Sequence, residues 1–508
     1  MRRLFQIVKS IFFSAGRGVA HDAEVRRMIE KHPRLFYFVK KRLTPDERFG
    51  LYTTIGVAFI IVFLFFFFNV LLDVIGREAI TQVDVRIINV LQIFRNNTFN
   101  QAILFITYLG RAQVLAVGVI LFGIFFLWRK YGEYALALFL SVVGGEVVVW
   151  LFKIIIHRPR PVLANALMIE PSYSFPSGHA FVAFSFYGLL TYFVFRWARR
   201  WYTKCITIAV GLCVIAAIGF SRIYLGVHWP SDVLAGSAFG AAWLTGSVML
   251  LGLRRQQSVA EHEAARYSSA SGIAFSCLVS VVWLSFAFFY FQNHPFQTIT
   301  TPTASTITLT TQELPAALFA NLPKTSEDIA GTPMEPIHLV VVAAQAELTE
   351  TFAKAGFLRT DNLNLTTLWR AFEAALLNHS YPQAPGTPTF WDTQPNDFAF
   401  EQPTANNSVR ERHHIHFWHT PFTLPDGRPI WFATAHFDKT TGFSQSFLPT
   451  HVIDPAIDVE RDTVRDELVA SGNVASVSAF KIVPPTLGKN QAGSPFFTDG
   501  GAYLIFLK

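Results

Sequence analysis

The sequence has little charge and little cysteine. Charged residues make up 15% of the 508 positions, whereas 51% are hydrophobic and 51 residues are phenylalanine. This composition excludes a chain that is soluble throughout and indicates a polytopic membrane protein, because apolar runs of about 20 residues match the hydrocarbon core of a bilayer. Cys205, Cys213 and Cys277 lie in or beside apolar runs, so we expect no disulfide framework.

The N-terminus has no short apolar segment followed by a small-residue cleavage site, so we expect no cleaved signal peptide. Residues 1–50 are basic instead and include the amphipathic stretch Pro33–Lys40. That stretch predicts either a helix lying on an anionic leaflet or a solvated basic cap that only sets orientation.

Seven stretches are predicted to span the membrane: Tyr52–Leu72, Gln113–Leu127, Tyr134–Ile156, His179–Phe195, Ile206–Phe220, Val233–Leu253 and Ile273–Phe291. Residues 78–111 have apolar positions at helical spacing but also carry Glu78, Asp84, Arg86 and Arg95. The charges make this stretch too polar to span, and the spacing predicts a surface helix.

The basic segments predict the orientation. If every predicted span crosses, one side receives the N-terminal segment, Arg129-Lys130, Arg196–Lys204 and Arg254-Arg255. Short cytoplasmic segments are enriched in Lys and Arg, so this side is predicted to be cytoplasmic. The same distribution accounts for the net charge of +7, and we expect no nucleic-acid partner. The opposite side receives everything beyond Phe291.

The composition changes after the last predicted span. Residues 292–336 are rich in Thr, Pro, Ser and Asn, as in a linker. Residues 337–508 alternate predicted strands with predicted helices. The strands are His338–Val342, Arg412–His419, Pro429–Asp438, Ser476–Val483 and Tyr503–Leu507, and the helices are Glu347–Ala355, Thr367–Asn378 and Ile457–Ala470.

The predicted fold class is a polytopic all-α membrane helix bundle, with a six-span core and a seventh span, followed by a soluble α+β domain. The predicted divisions are a basic segment (1–50), the six-span core (51–256), a connection with the seventh span (257–291), the linker (292–336) and the soluble domain (337–508).

Three polar segments interrupt the apolar runs: Lys153–Pro161, Pro176–His179 and Ser221–Asp232. Residues 180–220 would measure about 60 Å as helix, which is two crossings of a core about 30 Å thick. The chain between Pro161 and Pro176 has too few apolar residues to cross. All three segments are therefore predicted to meet on the non-cytoplasmic face.

These segments have side chains suited to phosphoryl chemistry. Fixed positive charge for phosphate oxygens comes from Lys153, Arg160 and Arg222. Neutral donors come from the Ser177 hydroxyl and the Gly178 N–H. His179 and His228 allow one imidazole to attack phosphorus while the other protonates the leaving oxygen. Asp232, four residues after His228, can orient that ring. Taken singly, Lys153 or Arg160 fits a residue that snorkels to the interface, and His179 fits an ordinary helix start.

Together the motifs Lys153-x6-Arg160-Pro161, Pro176–His179 and Ser221-Arg222-x5-His228-x3-Asp232 resemble the three ordered motifs of the type-2 phosphatidic acid phosphatase superfamily. The resemblance implies that His228 is the nucleophile, supported by Asp232, and that His179 is the general acid. It implies that phosphate is held by Lys153, Arg160, Ser177, Gly178 and Arg222. No metal or other cofactor is expected there, because the cationic side chains supply the electrostatic stabilisation.

Three polar residues near the motifs are not required by them. His157 and Arg158 are interpreted as ordinary loop residues. Glu146 lies seven residues before Lys153, on the same helical face. Its carboxylate is either functional or the buried partner of an arginine.

Residues 337–508 resemble the LssY-type C-terminal domain in Arg412–Trp418, Trp431–Asp438 and Asp454–Asp462. His414 and His416 share a strand face, and His436 on the next strand could approach them. With His451, Asp454 and Asp458 they could form a metal or ligand site. Histidines paired with acidic and aromatic side chains are the commoner arrangement in strands.

The sequence leads to the hypothesis of a lipid phosphatase of the bacterial inner membrane with a periplasmic site, acting through a phosphohistidine. Undecaprenyl diphosphate is the first choice of substrate, followed by phosphatidylglycerol phosphate and phosphatidic acid. The alternative of another class is a membrane-anchored binding or adaptor protein, in which residues 337–508 bind a periplasmic ligand or protein. Haloperoxidase chemistry is disfavoured because the site is embedded among apolar spans.

Overall fold

The structure is a computed structural model. It describes residues 27, 30–44, 50–162, 165–254, 270–295, 299–300, 306–315, 317–320, 322–377, 379–404, 410–443 and 449–508. Most of the basic segment predicted for residues 1–50, and the connection over residues 257–269, lie outside the described residues.

The part of the chain up to Asn293 is helical. Its described helices are α1 (Pro33–Leu43), α2 (Leu51–Gly76), α3 (Ala79–Ile93), α4 (Asn97–Tyr108), α5 (Ala112–Trp128), α6 (Gly132–Ile156), α7 (Gly178–Trp197, with a π-helical turn at Ala183–Gly188), α8 (Trp201–Tyr224), α9 (Pro230–Arg254) and α10 (Ala270–Asn293).

Six of the described helices are long and apolar enough to cross a membrane: α2, α6, α7, α8, α9 and α10. Helices α4 and α5 bend by 52° at a short break and make a seventh candidate if they form one span. The predicted span Gln113–Leu127 corresponds to α5, which has only 17 residues. The chain is therefore a multi-pass membrane protein, as predicted.

Helix ends place the polar segments at one end of the bundle. Helix α6 ends at Ile156, where His157 adopts a left-handed conformation (φ 51°) and Pro159 and Pro161 prevent further helix. Helix α7 begins after Ser177, which caps it by accepting a hydrogen bond from the Ala180 N–H. Helix α9 begins at Pro230, a residue favoured in the first turn.

The surface helix predicted over residues 78–111 differs from the structure. The stretch forms two helices, α3 and α4, and the side chain of Asn96 caps the second by accepting a hydrogen bond from the Phe99 N–H. Asp84 and Arg86 on α3 are 1% and 3% exposed. They are buried because α3 lies between the membrane helices and the C-terminal domain, which sequence periodicity could not reveal.

The C-terminal domain contains a large mixed sheet with both faces covered. The strands of this sheet are β3 (Ile307–Thr308), β6 (Leu339–Val342), β7 (Leu358–Arg359), β10 (Phe398–Pro403), β11 (Arg412–Thr423), β12 (Pro429–Phe443), β13 (Pro449–Ile453), β14 (Val474–Lys481) and β17 (Gly501–Leu507). Their order in the sheet is β14-β17-β6-β12-β11-β10-β7, while β13 pairs with β12 and β3 pairs with β11. The soluble α+β architecture is as predicted.

Helices and short strands complete the domain. The helices are α11 (Gln345–Lys354), α12 (Leu365–Leu377) and α13 (Ile457–Ala470), and the short strands are β4 (Thr325–Glu327), β5 (Pro333–Pro336), β8 (Phe390–Trp391), β9 (Gln394–Pro395), β15 (Thr486–Lys489) and β16 (Pro495–Thr498). Leu348 and Val464 pack on one face of the large sheet. Leu318 and Phe319, from the stretch predicted to be a linker, pack on the other.

The C-terminal domain contacts the membrane part at the end that carries the polar segments. Arg86 of α3 forms an ion pair with Glu327 of β4, and the Asn89 amide donates to the Thr393 carbonyl (2.9 Å). In addition, β1 (Asn165–Ala166), in the loop between α6 and α7, pairs with β2 (Ile299–Thr300), just beyond α10. These contacts place the predicted site and the C-terminal domain on the same side of the bundle.

Candidate active site

The three polar segments predicted from the sequence meet in the structure. The Ser177 N–H donates to the Asp232 carbonyl (3.0 Å), which joins the turn before α7 to the start of α9. Gly236 permits this approach, because a Cβ there would lie 2.5 Å from the Ser177 carbonyl oxygen. Arg160, beyond the end of α6, donates to the Val227 carbonyl in the loop between α8 and α9.

His228 stands at the centre of this meeting point with its side chain buried. Its Nδ1 lies 3.4 Å from Asp232 Oδ2, and its Nε2 lies 3.2 Å from a terminal nitrogen of Arg160. A guanidinium can only donate hydrogen bonds. The contact therefore assigns the ring proton to Nδ1, facing the carboxylate, and leaves the Nε2 lone pair on the cationic side of the site.

Asp232 is held by a network of hydrogen bonds and ion pairs that the motifs do not predict. Its Oδ2 accepts from the Trp229 N–H (2.9 Å), and its Oδ1 accepts from Arg158 (2.6 Å). The same guanidinium donates to Ser231 Oγ (2.7 Å) and to Asp84 Oδ2 (2.7 Å). Arg158 was interpreted as an ordinary loop residue, but it joins the Asp232 carboxylate to helix α3.

Lys153 and Arg160 lie side by side because one loop holds both. Lys153 Nζ donates to the Tyr173 carbonyl (2.6 Å). Arg160 donates from Nε to the Ser172 carbonyl (2.5 Å) and from Nη2 to the Ser172 hydroxyl (3.0 Å). Arg160 next to His228 Nε2, with Lys153 bound to the same loop, is suited to bind the oxygens of a phosphoryl group.

Arg222 adds a third cation and is 1% exposed. It donates to Thr107 Oγ1 (2.6 Å) and to Glu170 Oε1 (3.0 Å). Thr107 and Glu170 lie outside the three motifs, and no sequence pattern points to either. Glu170 lies in the loop that precedes α7, and its contact shows that the Arg222 guanidinium is accessible to a carboxylate oxygen from that loop.

His179 and the start of α7 complete the site. The first N–H groups of a helix have no partner within it and favour a bound anion, and Gly178 and His179 occupy these positions. His179 Nε2 is buried and has no hydrogen-bond partner among the described residues. Gly110 makes room for this ring, because a Cβ there would lie 2.6 Å from His179 Cδ2.

The electrostatics of His228 reflect this setting. Burial lowers its pKa well below the ordinary value, and Arg160, Lys153, Arg222 and His179 lower the pKa further. This lowering of the pKa favours the neutral ring, which is the form that a nucleophile requires. Burial also lowers the pKa of Arg160, against the opposing effect of Glu170 and Asp232.

Two further polar residues near the motifs are His157 and Glu146. The His157 ring packs edge-on against Tyr173 (4.5 Å between centroids). Glu146 lies beneath the turn, with Oε2 4.0 Å from where a Cβ on Gly178 would be. Among the described residues it forms no ion pair with an arginine, so that alternative for Glu146 is not realised.

Comparison with known proteins gives two matches along the chain. A family profile described as PAP2 superfamily matches residues 133–256, and one described as LssY C-terminus matches residues 319–501. Phosphatidylglycerophosphatase B of Bacillus subtilis is 32% identical over 182 residues, which are 35% of this chain and 88% of that protein. An undecaprenyl-diphosphatase of Sulfolobus acidocaldarius is 28% identical over 192 residues, which are 37% of this chain and 85% of that protein.

A solved structure also matches. The crystal structure described as the first transmembrane PAP2 type phosphatidylglycerolphosphate phosphatase, from Bacillus subtilis, has 26% sequence identity and a TM-score of 0.35, covering 40% of this chain and 98% of that one.

The chain belongs to the PAP2 superfamily and carries an LssY-type C-terminal domain. It is a membrane phosphatase, a hydrolase of phosphoric monoesters or diphosphates. The family, the fold class and the enzyme class predicted from the sequence are thereby confirmed.

The histidines predicted to approach each other in the C-terminal domain do so. His414, His416 and His436 are buried and offer ring nitrogens within 4.8 Å of one another. His451 lies beside them, with Nδ1 3.4 Å from Asp438. The acidic residues predicted to join are engaged elsewhere, since Asp454 pairs with Lys439 (2.6 Å) and Asp458 with Arg461 (3.1 Å).

Proposed function

We propose that the protein hydrolyses the phosphate or diphosphate of a membrane lipid through a phosphohistidine on His228. The arrangement of His228 carries this proposal: one ring nitrogen faces a carboxylate (3.4 Å) and the other faces a guanidinium (3.2 Å). Because Nδ1 carries the ring proton, Nε2 is the atom that can attack phosphorus. The guanidinium beside Nε2 can stabilise the negative charge on the phosphoryl oxygens.

The proposed reaction has two steps. In the first, His228 Nε2 bonds to phosphorus, the bond from phosphorus to the leaving oxygen breaks, and His179 gives its proton to that oxygen. In the second, His179 takes a proton from water, whose oxygen bonds to phosphorus while the N–P bond breaks, releasing inorganic phosphate. Throughout, phosphate oxygens are bound by Lys153, Arg160, Arg222, Ser177 and the Gly178 N–H.

For the substrate we retain undecaprenyl diphosphate as first choice, with phosphatidylglycerol phosphate and phosphatidic acid next. The relatives described above are a phosphatidylglycerophosphatase and an undecaprenyl-diphosphatase, and both substrates are lipids with a terminal phosphate. The residues proposed to bind phosphate would recognise the phosphoryl group and not the lipid, so they support the lipid phosphate class and do not rank its members.

We further propose that the site is periplasmic in a bacterial inner membrane. Arg129, Lys130 and Arg196–Lys204 lie at helix ends opposite the site, where cytoplasmic segments are expected. Protease added to right-side-out vesicles should then remove the C-terminal domain, and protease added to inverted vesicles should leave it intact. The reverse pattern would overturn the orientation.

The test of the activity is a phosphate-release screen of the purified full chain in detergent, with the three lipids and a His228→Ala control. We expect release from at least one lipid, lost in His228→Ala. If the control releases phosphate as fast as the native chain from each accepted lipid, His228 is not the nucleophile. If neither protein acts on the three lipids, the proposed substrates are wrong.

A further inference from the structure

A cluster of buried histidines lies in the C-terminal domain, outside the phosphatase site. His414 and His416 stand two residues apart on β11 and so share a face. His436 on β12 is directly opposite His414 in the sheet register. The relative exposures are 2%, 3% and 7%, and one ring nitrogen from each lies within 4.8 Å of the others. The backbone register therefore presents three imidazoles at one point.

These rings are only partly satisfied: Asp438 faces His414 Nδ1 (3.3 Å), but one nitrogen of each ring has no hydrogen-bond partner among the described residues. Among the described residues, no hydrogen bond reaches His414 Nε2, His416 Nδ1 or His436 Nδ1, although all three atoms are buried. His413, on the other face of the same strand, has such a partner, because the Glu460 carboxylate lies 2.8 Å from its Nδ1. A buried polar atom without a hydrogen-bond partner requires an explanation, and a bound ion is one such explanation.

The surrounding charges favour a cation. Three carboxylates of the cluster, on Glu335, Glu401 and Asp438, are at most 3% exposed, against one comparably buried guanidinium, that of Arg412. Asp438 Oδ2 is 3.3 Å from His414 Nδ1, and its Oδ1 is 3.5 Å from His436 Nε2. Carboxylates placed behind histidines in this way orient metal-ligating rings and increase their basicity.

We propose that His414, His416 and His436 bind a divalent transition-metal ion, with Zn²⁺ as the preferred ion. Three histidines with a fourth position open to water form a common catalytic zinc arrangement. A narrow cavity lined by Glu335, Thr389 and Gln491 adjoins the cluster and has room for about one water molecule. Asp438 is the positioning residue, since it faces two of the three rings.

The test uses the full chain, purified with a tag free of histidine and treated with a chelator. Zn²⁺, Co²⁺ and Cu²⁺ are then titrated, with metal content and thermal unfolding as readouts. We expect about one ion per chain, a higher unfolding temperature with metal, and the visible absorption of tetrahedral Co²⁺. His416→Ala should abolish stoichiometric binding, and Asp438→Asn should weaken the binding by about 10- to 100-fold. His419 is exposed on the opposite face of β11, so His419→Ala should bind metal as the native chain does.

Two results would overturn the proposal. One is a native chain that takes up none of the three ions, and this result does not depend on whether any variant folds. The other is a folded His416→Ala chain that binds metal with native stoichiometry and affinity. Because phosphate release is not a readout, failure here leaves the proposed phosphatase mechanism untouched.

Discussion

Arg158 Nη1 lies 2.6 Å from Asp232 Oδ1, where the Asp232 side chain is fully buried and that of Arg158 is 11% exposed. Through this pair and the Arg158–Asp84 contact (2.7 Å), helix α3 fixes the carboxylate that faces His228. We propose that Arg158 is a positioning residue. It acts on the His228 ring through Asp232, and its guanidinium donates to Asp84, Ser231 and Asp232.

Arg158→Gln should therefore lower kcat by about 100-fold, as expected for a misplaced reacting group, with little change in KM. Arg158→Lys should recover part of the loss, because it restores the charge but not the forked geometry. His157→Asn is the matched control, since Asn tolerates the left-handed backbone there. Equal losses of kcat in His157→Asn and Arg158→Gln would contradict the assignment, as would an Arg158→Gln effect confined to KM.

Gly110→Ala should impair the general acid. The added Cβ would lie 2.6 Å from His179 Cδ2 and 3.2 Å from an Ile218 methyl group, so the imidazole must move. We expect kcat to fall by about 10- to 100-fold. Gly123→Ala on α5 is the control, because a Cβ there meets nothing within 4 Å. Steady-state phosphate release checks both variants, and native kcat in Gly110→Ala would argue against His179 as the acid.

Glu170→Gln should strengthen substrate binding. Glu170 Oε1 accepts from Arg222 (3.0 Å), where we propose that a phosphoryl oxygen binds, so the two anions compete. Removing the negative charge should lower KM several-fold and increase inhibition by inorganic phosphate. A higher KM in Glu170→Gln would show instead that Glu170 holds Arg222 in position.

The pH dependence tests the environment of His228. Its pKa is lowered by burial and then by Arg160, Lys153, Arg222 and His179, so Nε2 should stay unprotonated below the ordinary histidine value of about 6.5. Arg160→Gln removes one positive charge, which raises the pKa of His228 and moves the acid limb of kcat/KM to higher pH. The substrate ionises identically with both enzymes. If the acid limb of kcat/KM lies at the same pH in the native chain and in Arg160→Gln, ionisation of His228 does not determine that limb. Arg200→Gln, at the opposite end of the bundle, should not shift the limb.

Local sequence pattern and helix length were sufficient to predict the membrane spans and the face of the bundle on which the motifs meet. Two crossings between His179 and Ser221 suffice to place the motifs on one face, and the structure brings them together. Asp84 and Arg158 were missed because their contact joins residues 74 positions apart, and no periodicity reports such a distance. The sequence feature that came closest to indicating this contact is the pair of charged residues Asp84 and Arg86 in an otherwise apolar helical pattern.

In the C-terminal domain, strand alternation identified the three histidines but not their carboxylates. Their positions shortly after His451 suggest Asp454 and Asp458 as partners, yet β13 ends at Ile453 and the chain turns into α13. Asp438, two residues after His436, shares its strand face. The same period-2 rule that selected His414 and His416 would have identified it.

The central claim is that His228 carries the phosphoryl group during turnover. A lipid phosphate labelled with radioactive phosphorus, mixed with the purified full chain and stopped in alkali within one turnover, tests it directly. The account predicts label on the peptide that contains His228 in the native chain and none in His228→Ala. Product formation with no labelled native protein at any time, or equal labelling of His228→Ala, would contradict it.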